Sequence, residues 1–235
     1  MSVGRTRPSA WLAAAVIGAW LTAGPAHAQQ APSSAEIAAY QGLHAAAHGG
    51  EVATIERLAT QASAREARDS NGRTPLHVAA FARQPAAVAA LIRAGADTSA
   101  LDAGRYDAVT IAAVADDEVT LRTLLDLGAS AILVTSRYDG TALIAAAHLG
   151  HDGVVEQLIA AGAPLDHVNN LHWTALIEAI VLGDGGPRHQ RTMQALLKAG
   201  ADTQLSDRDG QTPLQLARAR GYDIMVQMLT AAGGR

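Results

Sequence analysis

The sequence predicts an all-α solenoid, a row of stacked helix-turn-helix units joined by turn fingers, and three observations predict it. A residue able to open a helix recurs as Thr74, Asp107, Thr141, Thr174 and Thr212, at separations of 33, 34, 33 and 38 residues. A glycine able to end a second helix keeps the same beat as Gly95, Gly128, Gly162, Gly200 and Gly233, at 33, 34, 38 and 33. Two markers that share one rhythm, including its one interruption, define an internal repeat. The composition agrees: 49% of residues are apolar but only 3% aromatic. Small side chains suit thin, closely stacked helices better than one thick core.

Residues 1–28 read as a signal peptide. Arg5 and Arg7 precede the apolar run Ala10–Leu21, and Gly24, Pro25 and the small-residue pattern Ala26-His27-Ala28 follow before Gln29. That order of basic, apolar and small segments predicts cleavage after Ala28. A run of twelve apolar residues is too short for a hydrocarbon core that takes roughly twenty. No stable membrane insertion is therefore expected after cleavage. With neither paired arginines nor a lipobox cysteine, the general secretory route to a periplasmic or secreted destination is expected.

Loss of the leader arginines leaves 16 basic residues against 22 acidic ones, so the formal charge moves from −4 to −6. This balance argues against nucleic acid as partner, which needs a basic face. The absence of cysteine excludes disulfides, thiol nucleophiles and cysteine-based zinc sites.

After a short polar linker at 29–35, residues 36–67 keep Leu43, His44, Ala46, Ala47, Gly50, Val52, Ile55 and Leu58 in phase without a leading turn. They predict an N-terminal capping half-repeat, and Ser33 and Glu36 have the spacing of a capping box. Full units are expected at 69–101, 102–135, 136–168 and 169–206, with 207–235 closing the stack. In the first, Thr74, Pro75, Leu76 and His77 open one helix, Ala79 and Ala80 continue it, and Val88, Leu91 and Ile92 give the second helix its apolar stripe. The second unit is degenerate, but Asp107 supplies a capping side chain and Val109 the buried aliphatic. In the fourth, Gly183–His189 separates the two helices and reads as a surface loop, tolerated because longer loops add little closure entropy. The same register assigns Val109, Val119, Leu124 and Leu125 to the core of the second unit and Leu143, Val155, Leu158 and Ile159 to that of the third. Alanines at 79, 80, 112, 113, 146 and 147 let neighbouring helices approach.

The TPLH, AA and GA positions within Asn71–Asp97 (NGRTPLHVAAFARQPAAVAALIRAGAD) resemble the ankyrin repeat, and the resemblance covers essentially the whole mature chain. It implies a module that binds a partner protein with its finger tips and with the inner helix just after the Ala-Ala pair. On those positions stand Phe81, Tyr106, Tyr138 and Trp173, with Val114, His148, Leu149, Val181 and Leu182 extending a largely apolar groove. Asn71, Arg73, Arg105, Arg137 and Asn170 would rim it. Tyr, Trp and Arg anchor protein interfaces, although scattered surface apolar residues need no explanation. The resemblance thus implies a protein-binding module, which residues 1–28 lead us to expect to be exported and which is expected to be monomeric; the alternative is an accessory factor that stabilises a periplasmic enzyme, such as one of oxidative stress.

Histidines offer the one metal-like spacing, His44 with His48 and His148 with His151. The resemblance instead implies that His44 and His77 bond backbone between adjacent turns and that His151 precedes a second helix. His48 and His148 share one inner-helix position and are expected to face the groove as pH-sensitive contacts. There is no Gly-x-Ser-x-Gly elbow, phosphate-binding glycine loop or HExxH. The run Asp116-Asp117-Glu118 reads as a solvated helix start that favours the helix dipole. No catalytic, metal or cofactor site is expected, and a metal-dependent enzyme is the least favoured class.

Overall fold

A computed structural model describes residues 29–235, so the expected leader at 1–28 lies outside the described residues. Residues Ala31–Arg235 form one unit. It begins with α1 (Ser34–Ala39), α2 (Gly42–Gly49), α3 (Val52–Leu58) and the one-turn α4 (Ala62–Arg65). The capping box is present: the Ser33 hydroxyl accepts from Glu36 N–H, and the Glu36 carboxylate accepts from Ser33 N–H at 2.8 Å. Satisfying two orphan donors at once starts a helix at Ser34, inside the stretch expected to be linker.

Five helix pairs follow: α5 (Pro75–Phe81) with α6 (Pro85–Arg93), α7 (Ala108–Val114) with α8 (Glu118–Asp126), α9 (Ala142–Leu149) with α10 (Asp152–Ala160), α11 (Ala175–Val181) with α12 (Pro187–Ala199), and α13 (Pro213–Arg220) with α14 (Asp223–Ala231). The inner row runs α2, α5, α7, α9, α11, α13, each packed on the next; the outer row runs α3, α6, α8, α10, α12, α14. This is the expected all-α repeat stack.

Capping residues explain where the inner helices start. The Asp107 carboxylate accepts from Thr110 N–H at 2.8 Å, and the Thr141 hydroxyl from Ile144 N–H at 3.3 Å. Ala79, Ala80, Ala112, Ala113, Ala146 and Ala147 are fully buried between neighbouring inner helices, where only a methyl group fits at close-packed density. Leu76, Leu91, Leu124, Leu143 and Leu158 fill the space between rows.

Val119 corrects the expected core: it is 64% exposed, and Leu121 is buried in its place. Two residues apart on a helix means about 200° of rotation. With Leu121 and Leu124 facing inward, Val119 must face out.

The fingers stack edge to edge. Ala103 N–H donates to Asn71 O at 2.9 Å, Ser136 N–H to Arg105 O at 2.8 Å, and Asn170 N–H to Tyr138 O at 2.9 Å. Where the second full unit passes into the third, the finger closes as a minimal antiparallel hairpin of β1 (Val134–Thr135) and β2 (Gly140–Thr141), with Val134 opposite Thr141 and Thr135 opposite Gly140. Histidines tie finger to helix as the resemblance implied: His44 Nε2–H donates to Arg73 O and His77 Nε2–H to Tyr106 O, both at 3.0 Å. Burial holds His77 below the usual imidazole range, which keeps its Nδ1 free to accept from Thr74 N–H at 3.1 Å.

The insertion is not a loop throughout. Gly183–Gly186 turns the chain, and Pro187 then opens α12, which has 13 residues where α6, α8, α10 and α14 have 9. Proline at the first helical position is pre-organised for this. The added turn of helix presents Arg188 and Arg191. Arg188 bonds Asp152 at 3.0 Å and Asp116 at 2.8 Å, and Arg191 also pairs with Asp152.

The acidic run at 116–118 is correspondingly engaged rather than merely solvated. Asp116 takes Arg188, and Asp117, 8% exposed, caps α8 by accepting from Thr120 N–H at 3.1 Å. Asp152→Ala removes the shared anchor of both arginines and is expected to lower stability by about 1 kcal/mol, read from the urea midpoint. An unchanged midpoint would show that these ion pairs add nothing.

Candidate protein-interaction face

The register of the repeats generates a row of residues just after the alanine pair: His48, Phe81, Val114, His148, Val181 and Ala219. The neighbouring row contains Leu149 and Leu182, which are 40% and 43% exposed. Phe81, Val114 and Val181 are half-buried, Phe81 and Val181 packed on one side against the core. The side chain of His148 is 45% exposed. These residues therefore form a continuous, largely apolar surface along the inner row of helices.

At the finger edge Tyr138 is the freest aromatic, 42% exposed, with the Arg137 guanidinium 5.6 Å from its ring centroid. Arg105 is exposed and pairs with Asp139 at 3.2 Å. Tyr106 and Trp173 are half-buried and packed against the core, so each leaves only part of its surface to a partner. Asn170 is exposed, yet its amide donates to Arg137 O at 3.0 Å and its carbonyl accepts from Arg208 at 3.1 Å. It staples three fingers. Asn71 likewise works within the fold: its side-chain amide donates to the Glu36 carboxylate.

Arg73 corrects the expected rim, because it is fully buried. Its guanidinium lies 3.1 Å from Glu36 Oε1 and 3.4 Å from Asp69 Oδ2 and donates to the Tyr40 hydroxyl at 3.2 Å. It also sits 5.8 Å from the Phe81 ring centroid. The Glu36 carboxylate and Tyr40 phenol of the cap and the Asp69 carboxylate of its own finger draw the guanidinium inward, and a partner cannot reach it. His44 and His48, which had the spacing of a metal clamp, lie 5.5 and 6.5 Å from the Tyr40 ring.

His151 Nδ1–H donates to Ala113 O at 2.9 Å, tying α10 to the preceding inner helix. In the insertion-bearing unit His189 does the same through Nε2–H to His148 O at 2.9 Å. These histidines hold the stack together.

One constellation on this face escaped the sequence reading. Glu178 of α11 is 5% exposed and accepts from Asn169 Nδ2 at 2.9 Å, and its other oxygen lies 3.6 Å from His148 Nδ1. Burial pushes its carboxyl up to about 7 against the single Asn169 bond. Burial also holds His148 below the usual imidazole range, helped by His189 and His151. The signal was present in the repeat register, where Val78, Ile111, Ala145 and Leu216 fill the position of Glu178. Asn169 occupies the place of Asp69, Asp102 and Asp207. Its Oδ1 repeats their work by accepting from Leu171 and Trp173 N–H at 3.0 Å, and its amide nitrogen is left over for Glu178.

A stack of helix pairs with a finger edge and a continuous inner face is a repeat scaffold for binding. The ankyrin repeats (3 copies) family matches residues 32–102, 109–207 and 144–234, and the chain belongs to the ankyrin-repeat family. It is 42% identical over 114 residues to the ankyrin repeat protein YahD of Escherichia coli strain K12, spanning 48% of this chain and 56% of YahD. A Treponema pallidum (strain Nichols) ankyrin repeat-containing protein is 36% identical over 111 residues, 46% of this chain and 35% of that protein. The chain thus matches about half or less of these relatives' length.

Among solved structures, an ankyrin repeat domain from Acinetobacter baumannii AYE is 44% identical with a TM-score of 0.77, covering 82% of this chain and 98% of that one. The ankyrin repeat domain of Bcl-3 is 28% identical with a TM-score of 0.74, covering 83% and 87%. Ankyrin repeats mediate protein–protein interaction, and their fold is a non-catalytic interaction module.

Proposed function

We propose that this chain is an exported protein-binding module that takes its partner along the inner helices and the finger edge. The observation that carries the reading is the exposed apolar row of Leu149 and Leu182, continuous with His148, together with exposed Tyr138 at the finger edge. Exposure there serves no packing purpose. The buried apolar side chains of the inner helices, such as Leu76, Ile111, Leu143 and Leu176, instead close against the core. Large rigid aromatic and aliphatic groups ringed by Arg105 and Arg137 have the composition of an interface centre and its rim. Export rests on the basic, apolar and small-residue order of residues 1–28.

The test combines Tyr138→Ala, Leu149→Ser and Leu182→Ser, all at exposed positions. The triple variant is expected to keep its helical circular dichroism and melting temperature and to lose the partner in affinity purification from the native envelope fraction. Recovery of the same partner by both proteins would sink the assignment of this face.

A further inference from the structure

We propose that Glu178 is the specificity point of this face and receives a lysine or arginine side chain of the bound protein, an inference that rests on the inner-face reading above. In every other full unit and in the closing one, this position is Val78, Ile111, Ala145 or Leu216, so the stack does not need a carboxylate here. A second change accompanies the first. The finger aspartate becomes Asn169, which keeps the finger's own bonds and adds one donor to Glu178 at 2.9 Å. An aspartate there would repel the carboxylate. The pair is a coordinated departure from the repeat.

A carboxylate has about four acceptor sites, and Glu178 has one hydrogen bond, from Asn169. Charged groups on the elements packed against α11 are His148 of α9, Arg188, His189, Arg191 and Lys198 of α12, and Arg218 and Arg220 of α13. Among the described residues only His148 comes within 4.0 Å of the carboxylate, at 3.6 Å. No fixed cation among the described residues neutralises it. A buried carboxylate without a cation is costly, and an incoming one relieves that cost while making a charge-assisted bond.

His148, the group beside Oε2, has a side chain 45% exposed on the groove. Half-buried Val181 and exposed Leu182 lie about one helical turn beyond Glu178 on the same helix face. A long aliphatic stem ending in a cation matches this arrangement: the stem covers Val181 and Leu182, and the head reaches Oε2.

Binding of a cation requires the ionised carboxylate, and Glu178 titrates near 7 because it is buried. Affinity for such a partner should therefore rise about tenfold from pH 6 to pH 8, following the ionised fraction.

A phage-displayed random dodecapeptide library, panned at pH 8 on the full-length chain, provides the probe. The expected result is enrichment of peptides with Lys or Arg next to aliphatic residues. Synthetic copies should bind Glu178→Gln at least tenfold more weakly, lose their pH dependence on it, and also be lost by Leu149→Ser/Leu182→Ser. Enriched peptides that need Leu149 and Leu182 but bind Glu178→Gln as well as wild type would overturn the cation site and leave the face intact. Peptides indifferent to all three residues, or no enrichment over a blank surface, would overturn both.

Discussion

Arg73→Ala is expected to lower stability by about 3–5 kcal/mol, the range for removing one partner from a buried ion pair. The guanidinium is fully buried between Glu36 and Asp69 and donates to the Tyr40 hydroxyl, which itself donates to Asp69 Oδ2 at 2.8 Å. Truncation leaves two acids facing each other with no base between them. Burial tends to raise the Asp69 carboxyl, but bonds from Arg73 N–H, Tyr40 and Asn71 outweigh it and hold the group below its usual range. The phenol, by contrast, is pushed up to about 12, first by burial and then by Asp69.

Since each repeat is stabilised by its neighbours, the loss falls first on α1 to α4. Hydrogen exchange should show the amides of the cap losing protection while those of α9 and α11 keep theirs. Arg73→Lys should recover only part of the loss, because a point charge cannot bridge both acids as the planar fork does. A variant that loses under 1 kcal/mol with cap amides still protected would refute this account.

Glu178→Gln should do the opposite, raising stability at pH 8 by up to about 3 kcal/mol and changing nothing at pH 4. The folded protein holds this proton to about pH 7, against an ordinary value of 4.5. The wild type is therefore free of the penalty below about 4.5, and stability falls as pH rises through about 7. Glutamine keeps the oxygen that accepts from Asn169 and never ionises. Thermal melts of both proteins from pH 4 to pH 8 check it, and parallel curves would show that Glu178 ionises normally. The same variant is expected to bind the basic peptides worse while folding better, so lost binding could not be blamed on lost structure.

Helix starts, glycine stops and the alanine pairs were legible in the sequence because each is a local requirement repeated at fixed spacing. Thr141 caps its helix whatever lies across the stack, and the methyl of Ala113 is small in any context. Arg73 was not legible: its side chain turns inward only because Glu36, 37 residues earlier, is brought beside it by the cap. Val119 failed for a subtler reason, since moving the phase of one short helix by two residues exchanges its faces. The insertion was placed correctly, but its glycines outweighed the Pro-Arg-His that starts the long α12. Glu178 and Asn169 were visible as a pair of departures from the repeat. Reading the chain for its signature passed over the positions that break it.

The contact of Arg188 with Asp116 joins residues 72 positions apart, reaching past the whole intervening unit. In a stack where each repeat otherwise answers only to its immediate neighbours, such a reach makes three units share one fate. Melting that enters from the C-terminal end would strip α13 and α14 freely and then meet α12, whose release also withdraws support from α8 and α10. The middle of the chain should thus open as a block, giving a repeat protein with soft ends and an all-or-none centre.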